Sequence, residues 1–250
     1  TDVDPIESEK TRARLEELGF GPDILTIRNM NFADLNQVAP EEKFDFILAD
    51  LGVSSMQIDN PERGFTFKQD GPLDLRLNPT KGVTAAQRLL ELEEQELVGM
   101  LEENADEPYA QRIAHEIMQA FRCGEEIATT RQLATTIERA LSFLPKKERK
   151  EAAKKSCQRV FQALRIDVNS EFEVLYSFLE KLPEVLKSGG RVAVLTFHSG
   201  EDRLVKKAFR QHSREGIYSE VSRDVIRPSA EECYQNPRAR STKMRWAIRA

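Results

Sequence analysis

Two apolar runs, each ending in a polar tip, constrain this chain more than any other feature. Residues 44–48 lead into Ala49-Asp50-Leu51-Gly52-Val53-Ser54-Ser55-Met56-Gln57. About 140 residues later, residues 192–195 lead into Thr196-Phe197-His198-Ser199-Gly200-Glu201-Asp202-Arg203. Short continuous apolar runs are the pattern of parallel strands buried on both faces. In an open α/β sheet, ligands sit beyond the carboxyl ends of such strands. The expectation is an α/β sheet in which two loops rich in hydroxyls and carboxylates face one cleft.

The segment between the runs does not continue the sheet. Residues 59–79 are dense in turn formers: Asn60-Pro61, Arg63-Gly64, Asp70-Gly71-Pro72 and Asn78-Pro79. They predict a long loop with order of its own, of the kind that carries function or links domains. From Thr84 to about residue 144 the period becomes helical, as in Ile113, Ile117 and Phe121, or Leu133, Ile137 and Leu141. A helical subdomain over 59–155 is therefore expected, inserted into a sheet domain made of 1–58 and 156–250.

In the sheet domain the pattern predicts a helix over 5–18, a strand over 24–27 and a loop or turn at 31–35. It then predicts helices over 156–164 and 170–186, the second broken or kinked at Pro183. Lys187-Ser188-Gly189-Gly190 reads as a helix stop. A helix over 201–211 and a closing antiparallel pair, about 219–226 and 243–249, complete the reading.

At 40% hydrophobic and 32% charged residues the chain has ordinary globular composition. No apolar run approaches the ~20 residues of a membrane span, and no secretory pattern is visible. Cys123, Cys157 and Cys233, and likewise His115, His198 and His212, lack disulfide or metal spacing. A reduced, cytoplasmic, metal-free protein with no membrane partner is expected. The net charge of −5 argues weakly against nucleic acid, but the charge is segregated. Residues 91–107 are acidic, residues 146–165 basic, and the tail adds Arg238, Arg240, Lys243, Arg245 and Arg249. Such runs are ordinarily solvated faces, yet local RNA binding uses the same patches.

Thr1 opens the chain in mid-element: Asp2-Val3-Asp4-Pro5 reads as a strand end running into a helix. A truncated or processed start is expected. An acid placed like Asp2 commonly accepts hydrogen bonds from ribose hydroxyls, and capping the helix explains it equally well. Asp50 ends an apolar strand, where a carboxylate without a partner is rare, so it is read as functional. Gly52 allows close backbone approach, while Ser54, Ser55 and Gln57 supply donors and acceptors. His198-Ser199 does not read as a nucleophile with its base, because strand neighbours point to opposite faces and no nucleophile elbow is present. Glu201 and Asp202 sit in a helix first turn, where the dipole favours acids. Phe65, Phe67 and the loop carrying Asp74 and Arg76 can stack and orient a base; packing of a lid explains the two phenylalanines about as well.

These residues also carry a resemblance. Asn31-Phe32, Asp50-Leu51-Gly52-Val53-Ser54-Ser55, Gln57, Glu62-Arg63-Gly64-Phe65, Asp70-Gly71-Pro72-Leu73-Asp74, Phe197-His198-Ser199, Glu201-Asp202-Arg203 and Asn236-Pro237-Arg238-Ala239-Arg240-Ser241 are similar to the MraW/RsmH family. That family comprises S-adenosylmethionine-dependent methyltransferases acting on cytosine N4 of small-subunit ribosomal RNA. The similarity covers almost the whole chain, in order. It implies a Rossmann-like class I methyltransferase sheet, truncated at the N-terminus, with the helical insertion recognising substrate.

By that resemblance Asp2, Phe32, Asp50 and Gln57 fall at positions that contact S-adenosylmethionine. Asp50, Ser54, Ser55 and His198 are the expected catalytic side chains near the amine. Phe65, Phe67, Asp74, Arg76, Arg165 and Arg238 are the expected substrate contacts. The implied partner is small-subunit ribosomal RNA or the assembled small subunit. Two departures stand out. The family's glycine-rich loop is missing from the start, and Gly200 stands where the family usually has leucine. The first leaves a binding-only homologue that has lost catalysis as the alternative, with a Rossmann-type nucleotide enzyme of other chemistry behind it.

Overall fold

The run at 192–195 forms the heart of a buried strand, as its composition requires. In the computed structural model, which describes residues 1–39 and 41–250, strand β2 (Leu186–Thr196) holds Val192 and Val194 fully buried. Two compact units are distinguished: Thr1–Gly52 with Phe172–Ala250, and Val53–Glu171. The first carries the sheet and the second the helices, a mixed α/β architecture of Rossmann-like type.

In the sheet unit, β1 (Phe44–Asp50) runs parallel to β2, with Ile47 opposite Val192 and Asp50 opposite Leu195. β4 (Lys243–Arg249) pairs antiparallel on the other side of β2, and β3 (Tyr218–Val221) lies outside it, giving the order β1-β2-β4-β3. Helix α8 (Glu171–Val185) contributes Leu175, Phe178, Leu179 and Leu182 to the core. Helix α9 (Ser199–Arg214) adds Val205 and Phe209. Each such side chain stabilises the fold by roughly 1.5–3 kcal/mol on burial.

Four expectations for this unit need correction. β1 is not buried on both faces: Phe46 and Leu48 remain 57% and 56% exposed. Among the described residues β2 is its one sheet neighbour, so β1 is an edge strand and alternates. Residues 24–27 do not form a strand; Ile24 is 70% exposed, and pairing is limited to a parallel bridge between Asp2 and Asn29. An apolar run without a neighbour to satisfy its backbone has no ladder to join. The segment at 31–35 is a 3-10 helix, Phe32–Gln37, started by the Asn31 side chain accepting from the Ala33 amide. Finally, α8 continues past Pro183 to Val185, because Leu182 and Val185 are both anchored in the core and hold the last turn. Helix α1 (Pro5–Glu17) is capped by Asp4, which accepts from the Ile6 and Glu7 amides, with proline at the first helical position.

The helical unit contains α2 (Ser55–Asp59), α3 (Ala85–Glu91), α4 (Glu94–Ala105), α5 (Ala110–Arg122), α6 (Thr130–Ala140) and α7 (Lys146–Asn169). α7 extends well beyond the expected 156–164. Its first turns carry almost nothing but charge, so the apolar period emerges only where Ala153, Cys157, Val160 and Leu164 line one buried stripe. Burial pushes the Cys157 thiol up to about 12, with Glu138 and Glu107 adding to it, so this cysteine is core and not nucleophile.

The 59–79 loop is ordered by close backbone approach. Gly64 has φ +73°, and a Cβ there would sit 2.4 Å from the Pro72 carbonyl oxygen; one on Gly71 would sit 2.1 Å from that of Pro61. Among the described residues no helix is long and apolar enough to cross a membrane.

Candidate active site

The two polar tips stand side by side. Because β1 and β2 are parallel neighbours in register, their carboxyl ends coincide: Asp50 pairs with Leu195, and the Leu51 amide donates to the Leu195 carbonyl at 3.2 Å. The chain then turns at Gly52, φ +85°, where a Cβ would lie 3.6 Å from the Phe197 ring. On the β2 side the Phe197 amide donates to Glu201 Oε2 at 2.8 Å. This fixes the carboxylate of Glu201, only 3% exposed, at the mouth of α9.

Electrostatics mark the pair. Partial burial, then the nearby negative charge of Glu201, raise the Asp50 carboxyl above its ordinary 3.8. Asp50 makes no side-chain hydrogen bond among the described residues. His198 precedes α9 in extended conformation, with Nε2 3.1 Å from Glu201 Oε1. That approach lacks hydrogen-bond geometry, and both imidazole nitrogens are buried without a partner. A buried polar atom left unbonded costs about 1–3 kcal/mol. The ring rests against Phe172, centroids 5.9 Å apart. Gly200 permits this, since a Cβ there would come within 2.6 Å of Phe172 Cζ and 3.2 Å of His198 Nδ1.

Asp202, the neighbour of Glu201, is structural. It holds Arg245 through two contacts of 2.7 and 3.3 Å, tying α9 to β4. Burial alone would raise its carboxyl, but Arg245, with Lys243 and Lys206, brings it below the ordinary value.

Asp2 and Phe32 belong to the same unit. Asp2 Oδ1 accepts from the Asp4 amide at 2.8 Å, while Asp2 backbone groups bond Arg28 and Met30. The helix cap is Asp4, not Asp2. Burial, opposed by the Asp4 amide, raises the Asp2 carboxyl. Phe32 packs edge-on to Phe178 at 5.0 Å. Carboxylates that can accept from hydroxyls or face a positive charge, and an aromatic ring, are thus present in this unit.

The remaining expected site residues lie elsewhere. Ser54, Ser55 and Gln57 belong to the helical unit. Ser54 and Gln57 form a capping box, the Ser54 amide donating to Gln57 Oε1 at 2.9 Å and the Gln57 amide to Ser54 Oγ at 3.2 Å. Ser55 is exposed at the first position of α2. Phe67 packs on Phe161 at 5.4 Å, and Phe65 lies under the Arg63 guanidinium at 5.7 Å. Arg76 clasps Asp74 at 2.8 Å through two nitrogens, and Arg165 clasps Glu171 at 2.7 and 2.9 Å. Arg238, in the sheet unit, is exposed in a 3-10 helix, Pro237–Ser241. Glu201 is the residue that sequence reasoning passed over. Its position in a helix first turn offered a sufficient reason for an acid, and only the fold brings it between Phe197, His198 and Asp50.

The chain is similar to known proteins over its whole length. A family model described as the MraW methylase family matches residues 1–250. The chain is 67% identical over 250 residues to ribosomal RNA small subunit methyltransferase H 1 of Lachnoclostridium phytofermentans, covering all of this chain and 68% of that one. It is 65% identical over 251 residues to the protein of the same name from Agathobacter rectalis, covering all of this chain and 72% of that one. A more distant relative, ribosomal RNA small subunit methyltransferase H of Acidobacterium capsulatum, is 39% identical over 250 residues, with coverage of 98% and 81%.

Proposed function

The chain belongs to the MraW methylase family, and from that premise we propose that it methylates the N4 amine of a cytidine in small-subunit ribosomal RNA, with S-adenosylmethionine as donor. The observation that carries this reading is the tip pair: an Asp50 carboxyl raised beside Glu201, and a buried His198 imidazole whose nitrogens make no hydrogen bond, with Nε2 3.1 Å from Glu201 Oε1. The printed names of the relatives supply the substrate class, and the resemblance supplies the atom.

The bound cofactor contributes an electrophilic methyl group on a sulfonium. Asp2 would accept from its ribose hydroxyls, Phe32 would meet its base, and the Asp50 carboxylate would favour its positive charge. Asp50 is also the acceptor best suited to an N–H of the incoming amine. The amine of cytosine is a weak nucleophile, because its lone pair is delocalised into the ring. Holding it in line, with its N–H groups bonded to fixed acceptors, is worth on the order of 7 kcal/mol in favourable cases. Within the helical unit, Ser54 and Ser55 offer further hydroxyls, and the capping box gives Gln57 a part in fixing Ser54. His198, or a water it holds, takes the proton released on transfer.

The target base must leave its stack to reach such a site. The helical unit, with its lysine-rich α7, Arg165 and the 59–79 loop, would hold the surrounding RNA. Phe65, Phe67, Asp74 and Arg76 would shape the surface it meets, and Arg238 would add a phosphate contact from the sheet unit. The assembled small subunit in the cytoplasm is the setting this implies.

The test is transfer of labelled methyl from S-adenosylmethionine to purified small ribosomal subunits by the complete gene product. Asp50→Ala should abolish transfer without lowering the melting temperature. Unchanged transfer removes Asp50 from the mechanism, and label found on an atom other than cytosine N4 overturns the assignment.

A further inference from the structure

Helix α9 joins the tip pair to a second feature that the mechanism does not use. One face of the helix carries Glu201, Val205, Phe209 and His212 into the core. The opposite face carries Arg203, Lys206, Lys207, Arg210 and Arg214. At 100° per residue these five cations fall on a single stripe. They are spaced i, i+3, i+4, i+7 and i+11, and the stripe is about 16 Å long at 1.5 Å per residue. A shallow surface depression of ≈ 650 Å³ runs along them.

Ordinary explanations cover little of this. A solvated helix face interleaves acids with bases at i, i+4, whereas like charges at that spacing weaken the helix. Here Arg203 faces Lys207, Lys206 faces Arg210, and Arg210 faces Arg214. Lys207, Arg210 and Arg214 have no ion pair among the described residues. The helix dipole favours cations in the last turn only, which accounts for Arg214 and not for the others. Glu215, the acid bordering the depression, accepts from the Gln211 amide at 3.1 Å. The concentration of charge is local, in a chain whose net charge is −5.

We propose that this stripe is a docking surface for the phosphate backbone of ribosomal RNA, separate from the nucleotide that is modified. The proposal rests on the RNA-methylation reading above. Regular cationic steps along a line suit successive phosphates. No apolar or aromatic side chain interrupts the stripe, as a protein interface core would require. A surface of this kind reads no sequence; it sets register and orientation. Because His198 stands at the N-cap of α9 and Glu201 in its first turn, RNA held along the stripe is held by the helix that meets the tip pair.

The experiment measures binding of protein-free small-subunit ribosomal RNA to the complete gene product between 50 and 200 mM salt. The triple variant Lys207→Gln, Arg210→Gln, Arg214→Gln is compared with a control of equal charge change on α1, Lys10→Gln, Arg12→Gln, Arg14→Gln. Each phosphate contact contributes about 0.7 to the logarithmic salt slope for single strands, so the stripe variant should lose about 2 from that slope. It should also bind at least 10-fold more weakly at 100 mM, while single-turnover methylation at saturating RNA is unchanged. The α1 control should match the wild type.

An unchanged slope and affinity in the stripe variant overturns the proposal, even where the wild type still methylates RNA. Equal losses in the control also overturn it. So does retained RNA binding with lost binding of a poly-glutamate peptide, which would make the partner an acidic protein. If the wild type methylates no ribosomal RNA in the subunit assay, the underlying reading fails on its own terms.

Discussion

Asp74 and Asp50 are both acids expected at the functional site, yet the structure treats them differently. Asp74 is clasped by Arg76, whose guanidinium also donates to the Gly82 carbonyl. The same loop is braced by Arg63, 6% exposed, donating to the Arg76 and Leu77 carbonyls at 3.0 and 2.9 Å. The Asn169 side chain pins it further, accepting from the Leu77 amide and donating to the Leu75 carbonyl. Asp50 has none of this, and the one charge that raises its carboxyl is another acid, Glu201. The contrast teaches how to tell a polar residue that builds the fold from one held ready. Saturated groups lower the energy of the native state, whereas an acid beside another acid raises it, a pattern enriched at functional sites.

The sharpest way to break this comparison is through catalysis. Asp50→Ala should reduce methyl transfer by at least about 100-fold, the scale on which a positioned polar group acts, with thermal stability unchanged. If Asp74→Ala matched that loss with the fold intact, the roles would be inverted. Next comes stability. Arg63→Ala leaves two carbonyls without their charged donor and should cost about 2–3 kcal/mol, read as a lower denaturant midpoint and faster amide exchange over 60–82. Asp74→Ala should cost less, about 1 kcal/mol, because its partner retains the Gly82 carbonyl and some solvent.

The smallest effect concerns pH. A carboxyl raised in the folded state binds its proton more tightly there than in the unfolded chain. Its contribution to stability is therefore complete below 3.8 and is lost as pH rises through the raised value. Asp50→Asn should then raise the melting temperature at pH 7 and leave it unchanged near pH 3. For an exposed group the gain is at most about 2 °C. The opposite sign holds for Asp202, whose lowered carboxyl supports the fold above 3.8 and gives up that support as pH falls. A melting temperature for Asp202→Asn that falls at pH 7 but not at pH 3 would sharpen the distinction between the two acids.

Much of the fold was legible. The 192–195 run, the helix stop before it and the closing antiparallel pair all rest on local patterns: burial period, glycine and alternation. Helices α5 and α6 show the four-residue spacing for the same reason, with Ile113 and Ile117 buried in one and Leu133 and Ile137 in the other. What failed was non-local. Residues 24–27 have strand composition but, among the described residues, no strand to pair with. The first turns of α7 are helical through their attachment to a buried stripe that starts at Ala153. At the site, Asp50 was legible as an acid out of place after an apolar run. Glu201 was not, because a helix first turn explains an acid without any ligand.

By itself the sequence determined that two strands end in polar tips and that a helical block lies between them, since hydrophobic period and turn chemistry are written residue by residue. The tertiary structure decided which polar groups are already spoken for. Register between β1 and β2 brings Asp50 level with Leu195, and the turn after β2 sets Glu201 beneath His198. Pairing of this kind depends on distances across the chain, and no local pattern encodes whether a given acid meets an arginine or another acid.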